Sequence, residues 1–118
     1  MYEVELYKTE RDNCPLLEYL MELRKKHQSR ELAKIEEAKR RLEKYGMDVN
    51  NHYPHMIRNL QEGVWELRPG NNRVFFFHFT GNKFVLLHAY KKESPKTPEN
   101  ELKKAINEMK DYKRRNRG

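Results

Sequence analysis

Val64-Trp65-Glu66-Leu67-Arg68-Pro69-Gly70-Asn71-Asn72-Arg73-Val74-Phe75-Phe76-Phe77-His78-Phe79 decides the fold of this chain. Two apolar runs are separated by a Gly/Asn turn whose residues tolerate the backbone angles of a tight reversal. An arginine stands on each side of that turn. Gly81-Asn82 supplies a second reversal into another apolar run, so Val64–Arg68, Arg73–Phe79 and Phe84–Lys92 read as three successive antiparallel strands.

Working outward, Met1–Tyr7 alternates Tyr2, Val4 and Leu6 with Glu3 and Glu5, the pattern of a strand with one buried face. Pro15 suits a first helical position, and Leu16, Leu17, Leu20 and Leu23 recur at helical spacing over Pro15–Lys26. Ser29 is a candidate N-cap for a second helix, Arg30–Tyr45, whose Leu32, Ile35, Ala38, Leu42 and Tyr45 form one stripe and whose stop is Gly46. Met47–Gly63 has no sustained period and reads as a connecting segment. After Thr97, Pro98 opens a last helix with Leu102, Ala105, Ile106, Met109 and Tyr112 on one face. The expectation is a single α+β domain over residues 1–118: a small, mostly antiparallel sheet of about four strands, packed against two N-terminal helices and followed by a C-terminal helix.

The 118 residues carry a formal net charge of +7, and 36 % of them are charged. Such a balance favours a polyanionic partner, because clustered Lys and Arg gain from displacing the counterions of phosphates. One cysteine, Cys14, excludes an internal disulfide and a cysteine-based zinc cluster. His52 and His55 lack acidic or thiol partners at ligand spacing, so neither a metal nor another cofactor is expected. No signal-like amino terminus or membrane-length apolar run is present, and a cytoplasmic protein with no membrane partner is expected.

Metal-free scission of RNA needs a base for the ribose 2′-hydroxyl, positive charge at the scissile phosphate and a proton for the leaving oxygen. Arg68 and Arg73 flank one turn and Lys92 ends the next strand, so folding can gather their charges. Strand alternation puts Glu66 with Arg68, and His88 with Tyr90 and Lys92. Glu66 or His88 is then a candidate general base, and Tyr90 or a lysine a candidate proton donor. The competing reading makes Glu66 a cross-strand ion pair and His88 a hydrogen-bonded core residue. Tyr90 and Tyr53 are the aromatics left for stacking on RNA bases, and Lys91, Lys96, Lys113, Arg114 and Arg115 are candidate RNA-backbone contacts beside the charged helix Arg30–Tyr45.

The run Trp65-Glu66-Leu67-Arg68, the Gly/Asn turn, Arg73-Val74-Phe75-Phe76-Phe77 and the closing Lys91-Lys92 with Lys96-Thr97-Pro98 resembles the phage-derived, HigB-like branch of the RelE/HigB toxin superfamily. The resemblance covers nearly the whole chain and implies a RelE-like fold. It also implies a toxin of a type II toxin–antitoxin pair, an endoribonuclease that cuts messenger RNA on the 70S ribosome. The partner implied is a cognate antitoxin, a HigA-like helix-turn-helix protein that binds operator DNA on the toxin's behalf and forms a heterotetramer with it. Arg73 matches the arginine that contacts the scissile phosphate in relatives, Lys92 the basic position closing the next strand, and Arg68 a basic position at the end of the preceding one. Val64 and Glu66 stand where some relatives carry lysines, and Ser94–Pro98 where they carry a tyrosine. Phosphate contacts transfer by resemblance, whereas the acid and base do not. The alternative function is a non-catalytic protein of this fold that occupies the ribosome or serves an antitoxin–repressor complex.

Overall fold

The computed structural model describes residues 1–117. In chain order the elements are β1 (Glu3–Leu6), α1 (Pro15–Lys25), α2 (Ser29–Tyr45), a 3-10 segment (Gly46–Asn51), β2 (Ile57–Asn59), β3 (Trp65–Leu67), β4 (Asn72–Thr80), β5 (Lys83–Lys91) and α3 (Glu99–Arg115). The sheet has five strands in the order β1-β5-β4-β3-β2. β2 to β5 form an antiparallel meander, and β1 joins its far side in parallel with β5.

One strand more is present than the sequence suggests, because Ile57–Asn59 of the connecting segment pairs with β3. Its outer edge is closed at Ile57, whose N–H donates to the Asn50 side-chain oxygen while its carbonyl accepts from the Asn50 amide, both at 2.9 Å. An amide side chain thus stands in for a neighbouring strand and satisfies two backbone groups that water would otherwise have to reach.

Both faces of the sheet are covered, which explains why β4 and β5 are apolar at nearly every position. Val74, Phe76, Phe84 and Leu86 meet Leu16 and Leu23 of α1 and Ile35, Ala38 and Leu42 of α2. Phe75, Phe77, Val85 and Leu87 meet Leu102, Ala105, Ile106, Met109 and Tyr112 of α3. Full burial of each large apolar side chain contributes about 1.5–3 kcal/mol, so the two layers together outweigh any surface ion pair. α2 ends at Gly46, whose φ of 58° is the left-handed conformation that glycine adopts freely. A Cβ there would also lie 2.5 Å from the Tyr2 ring, so the residue is needed twice over.

A bulge between the pairs Val74–Ala89 and Phe76–Leu86 gives β5 one residue more than β4. Its effect is to turn Leu87 and His88 toward the same layer, that of α3. Tyr90 therefore lies on the α3 side directly opposite Arg73, while Ala89 faces α1 and α2.

Candidate functional site

The turn between β3 and β4 gathers residues from four parts of the chain. Arg68 and Arg73 flank it, and the backbone N–H of Lys92 donates to the Asn71 carbonyl at 2.7 Å. Lys91 is paired with Asn72 across the β4–β5 ladder. Lys34 of α2 approaches from the other side, where a Cβ on Gly70 would come within 2.9 Å of its chain. Arg68, Arg73, Lys91 and Lys92, far apart in sequence, thus end at one end of the sheet.

The turn is fixed by Asn72, which sequence reasoning passed over. Its side-chain oxygen accepts from Tyr19 of α1 at 2.6 Å, and its amide donates to Glu31 of α2 at 2.9 Å. Burial, together with the Glu31 charge, raises the Tyr19 pKa and keeps its hydroxyl a donor. The residue itself is buried, which shields its side of both bonds from water, while Tyr19 and Glu31 stay half-exposed. A short polar side chain within a Gly-Asn-Asn turn is the signal that was available.

Arg73 lies deeper than its proposed role suggests, at 6 % exposure. One terminal nitrogen donates to the carbonyls of Gly70 and Asn72 at 2.8 and 2.9 Å, and its Nε stands 3.9 Å from a Glu66 oxygen. Burial and then the neighbouring Arg68 lower its pKa, yet a guanidinium starts high enough to stay charged. The result is a fixed positive charge under the turn. Arg68 is half-buried, and its Nε has no hydrogen-bond partner among the described residues, while Lys91 and Lys92 are exposed.

Glu66, at 2 % exposure, accepts from the Tyr90 hydroxyl at 2.7 Å and from the Thr97 hydroxyl at 3.1 Å. Desolvation, reinforced by that bond, pushes the Tyr90 pKa up to about 12. Tyr90 is therefore a firm donor to Glu66 rather than a ready proton source, and burial removes it from base stacking. Its ring stacks inward instead, 5.3 Å from that of Phe75. His88 is also buried, with Nδ1 2.6 Å from Glu108 and Nε2 3.0 Å from Glu101. Both ring nitrogens are held by α3, which makes His88 a clamp between sheet and helix. The alternation that groups Glu66, His88 and Tyr90 holds, but α3 and the Thr97 segment cover the face they share.

The remaining candidate cations divide. Arg114 pairs with Glu10 and Asp111 at 2.6 Å, and Arg115 binds Asp111 and the Lys8 carbonyl, so both tie α3 to the loop before α1. Lys113 is exposed, with its Nζ 5.5 Å from the Phe77 ring centre, and Lys96 lies exposed in the β5–α3 loop. Tyr53 carries the Arg41 guanidinium 3.8 Å over its ring, and His52 stacks on Tyr45 at the same centroid distance.

Chemically, the arrangement offers a cationic sheet end beside which the two candidate bases, Glu66 and His88, are both engaged. No helix of the described residues is long and apolar enough to cross a membrane. A family model described as "Phage derived protein Gp49-like (DUF891)" matches residues 18–110. No curated protein matches the chain.

Proposed function

The chain belongs to the Gp49-like family of phage-derived proteins, a RelE-like toxin family, and from that membership we propose that it is the toxin of a type II toxin–antitoxin pair and cleaves messenger RNA on the ribosome. The observation that carries the reading is the meeting of Arg68, Arg73, Lys91 and Lys92 around one rigid turn. Exposed Lys92 and half-buried Arg68 grip the scissile phosphate, and buried Arg73 adds a charge that cannot swing away as negative charge develops in the transition state. The 2′-hydroxyl of the ribose attacks the adjacent phosphorus and displaces the next 5′-oxygen, leaving a 2′,3′-cyclic phosphate; water takes the hydroxyl proton and supplies the one that the leaving oxygen gains. Ribosomal RNA, the message and a cognate antitoxin are the partners of this reading. The antitoxin of this reading is a HigA-like protein that forms a heterotetramer with the toxin.

A second reading is favoured by one observation: both candidate bases are engaged, Glu66 by Tyr90 and Thr97, and His88 by Glu101 and Glu108. On it the protein blocks the ribosome by occupancy alone. Primer extension on a defined message separates the two, run with the purified protein, with and without initiated ribosomes, beside the double variant Arg68→Ala/Lys92→Ala. Cleavage predicts discrete ribosome-dependent stops that slow by about 10²-fold or more in the variant. An intact message on stalled ribosomes would replace the first reading with the second.

A further inference from the structure

Around the corner of the same turn, on the side of α1 and α2, lies a groove of about 470 Å3 lined by His27, Gln28, Ser29, Arg30, Glu31, Asn71 and Lys91. Its volume falls within the ~300–1,000 Å3 range of sites for small molecules and single groups of a polymer. Two properties suit it to an anionic ligand that also takes hydrogen bonds. Arg30 and Lys91 have no carboxylate partner among the described residues, so both charges are open to a ligand. The side chains of His27, Gln28, Ser29 and Asn71 make no hydrogen bond within the described residues, whereas Glu31, the one acid, is already held by Lys34 and Asn72. The groove thus presents unpaired cations beside unpaired amide, hydroxyl and imidazole groups. That combination suits a phosphate and the polar edge of a base.

Continuity with the site sets its place on a strand. Asn71 lines the groove, and its carbonyl also accepts from the backbone N–H of Lys92, the residue that follows Lys91 at the end of β5. We propose that this groove binds one nucleotide of single-stranded RNA adjacent to the one cut, with its phosphate on Arg30 and Lys91 and its base edge read by Gln28, Asn71 and His27. The inference rests on the RNA-cleaving reading and adds a source of sequence preference to it. The strand crosses the ridge of the Pro69–Asn72 turn, from the side of Arg68 and Lys92 to the side of α1 and α2.

The test is binding of short fluorescent homopolymeric RNAs of each base to the full chain across a salt series. Arg30→Ala/Lys91→Ala should weaken every RNA by at least about tenfold and flatten the log–log salt slope by about 0.7, for the one phosphate no longer neutralised. Gln28→Ala/Asn71→Ala should change the ranking of the four homopolymers. All four side chains lie outside the hydrogen-bond network, so an unchanged melting temperature confirms that these variants fold. Wild-type binding that neither variant alters overturns the groove while leaving RNA cleavage standing. Loss of affinity with an unaltered ranking overturns its base reading. A wild type that binds polyglutamate and no RNA overturns both the groove and the reading it rests on.

Discussion

Replacing Tyr90 by phenylalanine removes a single oxygen from a buried polar cluster. The ring remains, and with it the packing on Phe75 at 5.3 Å. What disappears is a 2.7 Å hydrogen bond to Glu66, an acceptor at 2 % exposure. A hydrogen bond to a charged group contributes about 1.5–3 kcal/mol net. Thr97 still donates to the same oxygen and Arg73 still faces the other, so the carboxylate is not left bare and the expected loss is about 2 kcal/mol. For a chain of this length the melting temperature should fall by about 8 °C. The pH dependence is a second check, because the folded-state pKa of Tyr90 is raised to about 12 from its ordinary 10.0. A raised pKa contributes stability that is fully present below the unfolded value and is lost as pH rises through the folded one. The difference between wild type and Tyr90→Phe should therefore be constant from neutral pH to about pH 9 and shrink between about pH 10 and 12. Paired urea titrations at several pH values measure it. A loss below about 0.5 kcal/mol at pH 7 would refute the claim that Glu66 depends on this donor, and with it the view of Glu66 as a structural anion rather than a base.

Asn50→Ala leaves the N–H and carbonyl of Ile57 without partners, at a cost of about 1–3 kcal/mol, and opens the edge of β2; chemical unfolding should register the loss and size-exclusion chromatography a concentration-dependent shift to larger species. Asp111 is held at a pKa of about 2, from an ordinary 3.8, first by its bond to Arg115 and then by that from Tyr7. A depressed carboxylate contributes stability present above the unfolded pKa and lost as pH falls through the folded one, so Asp111→Asn should lower the melting temperature at pH 7 and reduce its fall between about pH 4 and pH 2.

Most of the architecture was legible because it rests on local patterns. The strands placed at Arg73–Phe79 and Phe84–Lys92 are Asn72–Thr80 and Lys83–Lys91, and the helices lie within a few residues of their expected bounds. Ile57–Asn59 was missed because it has no period of its own and becomes a strand only through β3 and the Asn50 side chain. The parallel docking of β1 was missed for a related reason, since alternation indicates a strand but names no neighbour. Alternation also placed Glu66 with Arg68 and His88 with Tyr90, but it is silent on whether a shared face is open. The signal that it is closed was present in Val74–Phe77, a run apolar on both faces, which requires helices on both sides. Arg114 and Arg115 looked free because Glu10 and the Lys8 carbonyl lie more than a hundred residues earlier in the chain.

The parallel pairing of β1 bears on the order in which the molecule assembles. Glu3 lies opposite Lys83, eighty positions later, whereas the β4–β5 reversal closes across two residues, Gly81 and Asn82. Closing the longer loop costs about 3 kcal/mol more in chain entropy, by the (3/2)RT ln n rule. The antiparallel meander that carries Arg68, Arg73 and Lys92 should therefore form early, while β1 docks among the last. A mutation in β1 should chiefly speed unfolding, and one in the β4–β5 hairpin should slow folding.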